Sequence, residues 1–108
     1  MIDGAELLLL RDCRESMAAA RTPAGMSIEQ RARARRDHGY GPKIATEAVE
    51  KILRACGGAG MYDDFEIQRC YRDCFAMTSH IGLNWDAAAI QFGQIAVGIP
   101  PEPGFAWI

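Results

Sequence analysis

The fold is decided by residues 55–86, ACGGAGMYDDFEIQRCYRDCFAMTSHIGLNWD, which end one predicted helix and begin two more. Three of the four residues at positions 57–60 are glycine, which suits a helix C-terminus with positive φ and leaves the backbone uncovered. This turn fits a plain helix terminator, and it equally fits a surface against which a ligand or a second chain lies. No strand pattern precedes it, so it is not a dinucleotide-binding fingerprint.

An amphipathic helix follows the glycine turn. We expect Asp63 or Asp64 to be its N-cap. Glu66 lies three residues after Asp63, which is the spacing between the N-cap and the acidic N3 residue of a helix. The apolar residues then recur at steps of three and four, which predicts a wide apolar face inside a helical bundle. The residues of this face are Ile67, Cys70, Cys74, Met77 and Ile81, with Tyr71, Phe75 and Thr78 beside them.

Polar residues lie beside the apolar face and just beyond it. Arg72 and Asp73 are expected to pair across helices, a structural role, because buried charges need partners. His80 follows two turns after Asp73, and Asn84 follows one turn later on the same side, so Asn84 could orient the imidazole. Asn84 also suits the N-cap of a fourth helix over residues 85–97.

Two further helices are predicted before the glycine turn. The first covers residues 5–21, and Ser27 and Gln30 form a capping box that begins the second. Pro42 predicts a kink or a short break in the second helix, which then continues to about residue 56. In the first helix, one stripe is expected to be buried: Leu7, Leu10, Cys13 and Met17.

These elements predict an all-α protein, because no strand candidate is found. We expect an antiparallel helical bundle of three to four helices over residues 1–98, completed by oligomerisation. A proline-rich tail over residues 99–108 follows. The tail ends in Phe105, Trp107 and Ile108, which we expect to dock on this chain or on a partner.

Composition narrows the class of function. The 108 residues are 49% hydrophobic and 24% charged with a net charge of -2, which is ordinary for a globular domain and argues against nucleic acid as the main partner. The apolar run at residues 7–10 is far too short to span a membrane, so a cytoplasmic protein is expected. The four cysteines match neither a secreted disulfide scaffold nor a zinc site, and we expect reduced, buried thiols and no metal.

Two groups of basic residues have competing interpretations. The four arginines within residues 31–36 could contact phosphate, but they spread around the helix. A solvated face, or pairing with acids of another subunit, is therefore favoured. His38 stands next to the predicted kink, and a surface or structural role is favoured over a catalytic one.

The ordered motifs over residues 5–98 resemble the C-terminal helical bundle of the acyl-CoA dehydrogenase fold. More narrowly, they resemble its branch of two-component flavin-dependent monooxygenases, which receive reduced flavin from a separate reductase. The motifs that carry the resemblance are Gly57-Gly58, Gln68-Arg69, Arg72-Asp73, His80, Trp85-Asp86 and the helix end from Gly93 to Gly98.

The resemblance implies roles for particular residues. Gly57 and Gly58 correspond to a turn that approaches flavin held by a neighbouring subunit, and Arg72-Asp73 to a mainly architectural pair. His80 corresponds to a histidine that faces the flavin and the substrate, where it hydrogen-bonds oxygenated flavin or helps to deprotonate the substrate. The dehydrogenase branch has a catalytic glutamate just past this helix. Residues 75–85 contain no acid, which favours oxygenation over acyl-CoA oxidation.

Full members of this family place a helical domain and a β-barrel before the bundle, and those domains hold most of the flavin. We therefore expect one part of a reduced-flavin-dependent monooxygenase for a small aromatic substrate, using FMN or FAD, inactive and without tightly held flavin when alone. Its expected partners are further copies of itself or a chain that supplies the missing domains, with a flavin reductase acting indirectly. The alternative is a non-catalytic helical module that oligomerises or regulates a full-length relative.

Overall fold

The computed structural model describes residues 1–101, and this part of the chain forms four α-helices and no strand. The all-α class is thereby confirmed. The docking expected for the aromatic tail falls on residues 102–108, outside the described range. The helices are α1 (Ile2–Ala19), α2 (Ile28–Ala55), α3 (Glu66–Thr78) and α4 (Trp85–Ala96), with 3-10 turns at Gly57–Met61 and Ile81–Leu83.

Helix α2 is the centre of the fold, since α1, α3 and α4 all pack against it. Its 28 residues give it a length of about 42 Å. The predicted capping box is confirmed: the Ser27 hydroxyl accepts from the Gln30 backbone N–H at 3.2 Å, and the Gln30 side chain accepts from the Ser27 N–H at 2.8 Å. The start of α2 is thus fixed by residues within one turn of each other.

The sequence predicted a kink or a short break at Pro42, and the break is wrong because α2 continues through this residue. Proline removes one hydrogen bond from the ladder, but packing against three other helices holds the segment helical. The neighbouring glycines serve this packing. A Cβ on Gly39 would lie 3.1 Å from the Trp85 Cα, and one on Gly41 would lie 3.7 Å from the Leu9 side chain.

The contact at Gly39 leads to a stability prediction. Gly39→Ala should lower the free energy of unfolding by about 1–3 kcal/mol, because the new methyl meets backbone of α4 that cannot rotate away. Gly93→Ala is the matched control, since Gly93 is also within a helix but has open space around it, and should raise stability by about 1 kcal/mol. Urea unfolding followed by circular dichroism measures both, and equal effects of the two changes would contradict the close contact.

The prediction that the stripe of Leu7, Leu10, Cys13 and Met17 on α1 is buried is wrong. Leu7 and Met17 are 67% and 62% exposed, whereas Ala5, Asp12 and Ala19 are buried. The physical reason is that α1 packs on α2 alone, and its small residues allow the closer approach. The larger apolar side chains of α1 therefore face outward.

The other helices also leave apolar side chains exposed. Among the described residues, the fully buried apolar side chains are four alanines and one isoleucine, while Phe75, Ile81 and Ile90 are each more than half exposed. The radius of gyration is 16.8 Å, against about 13 Å for a compact domain of this length. The bundle is an open one whose apolar faces lack a cover within the described chain.

The two helix ends around the glycine turn differ from each other. Helix α2 ends as predicted, with Gly57 at a φ of +61° directly after its C-cap. The predicted cap by Asp63 or Asp64 is wrong: Phe65 is the N-cap of α3, and no side chain bonds to that helix end. A backbone turn from the Phe65 N–H to the Tyr62 carbonyl at 3.0 Å precedes the helix instead.

Candidate functional site

A cluster of charged side chains lies between α1 and α2. Asp37 is 1% exposed and accepts from Arg11 of α1 and from Arg36 of its own helix, the latter at 2.7–2.8 Å. Arg36 also lies over the Phe92 ring of α4, 4.3 Å from its centroid. Asp37 therefore connects two helices directly and a third through Arg36.

Asp12 is the second buried carboxylate of this cluster, and it has fewer polar partners than Asp37. Its side chain is 2% exposed, and neither oxygen has a hydrogen-bond partner in the described chain. The closest cations are the Arg11 Nε at 3.7 Å and the His38 Nε2 at 4.0 Å. Burial, followed by the charge of Asp37, raises the pKa of Asp12 above its ordinary 3.8, although Arg11 and His38 oppose the shift.

The raised pKa of Asp12 gives a pH-dependent prediction. The folded chain holds the proton more tightly than the unfolded chain, so this carboxyl's contribution to stability falls as pH rises from about 3.8 through the folded pKa. Asp12→Asn removes that loss, so the free energy of unfolding of this variant relative to the parent should be higher at neutral pH than in acid. Urea unfolding at both pH values measures this, and a difference that does not change with pH would contradict it.

His80 lies at the start of the 3-10 turn after α3, where it is exposed. Its Nδ1 accepts from the Gly82 backbone N–H at 3.1 Å. Because this bond uses the Nδ1 lone pair, the neutral ring carries its proton on Nε2. A side chain on Gly82 would lie 3.1 Å from that Nδ1, so glycine allows the ring to sit on the turn. The imidazole therefore presents a hydrogen-bond donor.

The imidazole of His80 lines an open groove of about 720 Å³ between α2 and the end of α3. The groove walls are largely apolar, and the polar side chains lining it are Arg35, His38 and His80. His38, for which the sequence favoured a surface or structural role, thus shares a groove with His80. No sequence signal could have paired them, because the two residues are 42 positions apart and on different elements.

The other predicted site residues lie outside this groove. Arg72 and Asp73 are exposed, and within residues 1–101 neither makes an ion pair, so the expected pairing across helices is wrong for the described chain. The Asn84 side chain accepts from the Ala87 N–H at 3.1 Å, which confirms it as the N-cap of α4. Asn84 therefore does not orient His80, since Gly82 does so.

Gly57 and Gly58 lie in a separate shallow groove with Leu53, Arg54 and Tyr71. A Cβ built on either glycine meets no atom within 4 Å, so the backbone of this turn is open to an approaching group. Arg54 is held by Glu50 one turn before it, at 2.6 Å. The turn therefore presents backbone that no side chain covers.

The arginines of residues 31–36 face the chain's own acids. Arg33 pairs with Glu15 of α1, Arg36 pairs with Asp37, and Arg35 is buried. Arg33 and Arg36 thus pair with acids of this chain itself, whereas the sequence favoured a solvated face or acids of another subunit. All four cysteines are free thiols, as predicted, although Cys13 is exposed.

Two further findings concern the part of the chain that the structure describes. None of its helices combines the length and apolar character that crossing a bilayer requires. No three side chains of His, Cys, Asp or Glu within residues 1–101 are arranged to hold a metal ion.

The four helices, the glycine turn and the histidine after α3 define a helical domain of the acyl-CoA dehydrogenase type. Residues 1–85 match the family described as acyl-CoA dehydrogenase, C-terminal domain, and the chain belongs to that family. No solved structure matched the chain significantly.

The similar curated proteins are oxygenase components of flavin-dependent hydroxylases. An FADH2-dependent resorcinol hydroxylase from a Rhizobium species is 30% identical over 105 residues, 94% of this chain and 26% of that protein. The p-hydroxyphenylacetate 3-hydroxylase of Acinetobacter baumannii is 30% identical over 69 residues, 64% of this chain and 16% of its own length. The Mycobacterium tuberculosis oxygenase subunit HsaA is 28% identical over 100 residues, 93% of this chain and 25% of its own. The chain thus spans about a quarter or less of these relatives.

Proposed function

We propose that this chain forms one wall of the active site of a reduced-flavin-dependent monooxygenase that hydroxylates a small aromatic substrate. The observation that carries the proposal is the open groove at His80, where an imidazole donor stands among apolar walls. An aromatic ring suits such walls, and a donor suits oxygen atoms on the substrate or the cofactor. The relatives supply the reaction class, since three of them are named as flavin-dependent or hydroxylase oxygenase components.

His80 acts in this proposal as a hydrogen-bond donor. The Gly82 N–H occupies Nδ1, so the neutral ring offers its Nε2–H to a ligand and has no free lone pair to take a proton. Of the two roles that the family resemblance implies, this arrangement supports hydrogen bonding over deprotonation of the substrate. A fixed donor stabilises negative charge that develops on oxygen during the reaction.

Flavin would approach the chain at the turn of Gly57 and Gly58. The open backbone there fits a flat ligand, because no side chain fills the space in front of either glycine. When bound, reduced flavin supplies the activation of molecular oxygen. The chain's own residues offer backbone at this turn and no enclosing pocket, so we propose that tight flavin binding needs further polypeptide and that a separate reductase delivers the reduced flavin.

The second candidate is a non-catalytic helical module that oligomerises or regulates a longer relative. The observation in its favour is the set of exposed apolar side chains on α1 and α3, combined with the extended shape of the bundle. Self-association is shared by both candidates, because a monooxygenase domain would use the same faces. A cytoplasmic location is proposed for either.

A chimaera separates the two candidates. This chain replaces the matched quarter of the Rhizobium resorcinol hydroxylase oxygenase, and the product is supplied with reduced flavin, oxygen and resorcinol. We expect hydroxylation well above that of the same oxygenase with the quarter deleted. A chimaera that folds and binds flavin but hydroxylates no better than the deleted form would refute the monooxygenase proposal and favour the non-catalytic module.

A further inference from the structure

The groove at His80 has an unusual distribution of charge. Among residues 1–101, the polar side chains that line it are one arginine and two histidines, Arg35, His38 and His80, and none is a carboxylate. Its other walls are apolar and include Met77 and Leu83. Such a groove favours a flat apolar ligand that carries negative charge.

A buried acid stands behind one of the two histidines. The His38 imidazole is about half exposed, and its Nε2 lies 4.0 Å from an oxygen of Asp12, which is almost fully buried. Neither oxygen of Asp12 finds a hydrogen-bond partner in the described residues. Asp12 therefore lies on the Nε2 side of the His38 ring, behind the groove.

The other charges around Asp12 come from both helices of this contact. Arg11 and Glu15 belong to α1, whereas Asp37 belongs to α2. Arg11 is shared with Asp37, which also receives Arg36, so Asp37 is well paired and Asp12 is not. On the groove side, the polar group beside Asp12 is the His38 imidazole.

We propose that His38 is a positioning residue of this groove, and that it pairs with the negative charge of an aromatic anion whose ring lies against the apolar walls. This inference rests on the proposed function. It adds that a second histidine contacts the ligand and that the ligand carries negative charge. Because Asp12 lies on the Nε2 side of His38, the Nδ1 side of the ring is the one that meets the anion. His80 offers its Nε2–H to another oxygen of the same ligand. An aromatic acid substrate and the flavin itself share this chemistry.

The test uses the isotope-labelled 108-residue chain and the ring resonances of His38 and His80, assigned with the variants His38→Gln and His80→Gln. Three probes are titrated at about pH 7, where carboxylates and phosphates are ionised. These are p-hydroxyphenylacetate, which is an aromatic acid, resorcinol, which is uncharged near neutral pH, and FMN. Circular dichroism confirms that each variant is folded.

We expect p-hydroxyphenylacetate or FMN to shift both imidazoles, and the probe that does so identifies the source of the anion. His38→Gln should weaken the binding of that probe about tenfold or more and the binding of resorcinol by less than about threefold. The reason is that a charge-assisted hydrogen bond is lost only for the anion. The control Glu50→Gln, which removes a pair with Arg54 near the other end of α2, should leave the affinity of every probe unchanged.

Three results would overturn the inference. The first is a shift of the His80 ring resonances alone. The second is an equal affinity for resorcinol and for the anions, and the third is no change in the resonances of either imidazole at millimolar concentrations of the probes. The chimaera is a separate result: if it hydroxylates resorcinol while His38 gives no response, the inference at His38 fails and the proposed function stands.

Discussion

Replacing His80 with alanine in the chimaeric oxygenase is expected to lower the rate of hydroxylation about 100-fold to 1000-fold. The reason is the loss of a donor that the Gly82 N–H holds in one tautomer, pointing its Nε2–H into the groove. A donor fixed before the reaction stabilises developing charge without reorganisation. Single-turnover measurements with reduced flavin and resorcinol would report this rate directly.

Two further variants make the prediction at His80 specific. His80→Gln keeps an N–H donor of similar reach, so it should lose less activity than alanine, by about tenfold. Ser79→Ala is the matched control, because Ser79 is an exposed neighbour whose hydroxyl bonds to the Phe75 carbonyl, and it should leave hydroxylation unchanged. If His80→Ala hydroxylates at the parent rate, the assignment of His80 is wrong.

Replacing Asp37 with alanine is expected to lower the free energy of unfolding by about 3 kcal/mol, the largest stability effect in this chain. Asp37 is buried, and it receives Arg11 from α1 and Arg36 from α2. Its removal leaves Arg36 without its carboxylate partner and leaves Arg11 with only the longer contact to Asp12, at 3.7 Å. Because Arg11 and Arg36 keep part of their side chains in solvent, the effect lies at the lower end of the range for buried pairs.

Urea unfolding of the 108-residue chain measures the effect of Asp37→Ala. The control is Glu50→Gln, which removes an exposed pair with Arg54 on the same helix and should leave the unfolding midpoint unchanged. Asp12→Asn provides a second comparison, because the other buried aspartate is expected to be neutral or stabilising at neutral pH. An Asp37 variant as stable as the Glu50 variant would show that the buried pair does not hold α1 on α2.

The contrast between Asp37 and Asp12 explains how α1 stays attached to α2. The contact contains small apolar residues such as Ala5 and Ala19, which contribute little burial energy. The ion pairs of Asp37 and the pair of Arg33 with Glu15 therefore carry a large share of the specificity of this contact. The leucines that would give a stronger apolar contact face outward, which fits a surface that meets further polypeptide.

The amino-acid sequence determined the helical class and several helix ends. The capping box at Ser27, the positive φ of Gly57 and the cap at Asn84 were all predicted, and all are present. Each depends on residues within four positions of one another, so local sequence is sufficient. The family resemblance was likewise carried by an ordered set of such motifs, and residues 1–85 match that family.

Only the tertiary structure decided which faces are buried and which residues share a groove. The outward face of α1, the unbroken α2 at Pro42 and the meeting of His38 with His80 all depend on contacts between distant segments. Periodicity shows that a helix has an apolar face, but burial follows from the helices that pack against it. The same limit applies to Asp12, because its lack of hydrogen bonds arises from where α1 meets α2 and from no feature of its neighbours in sequence.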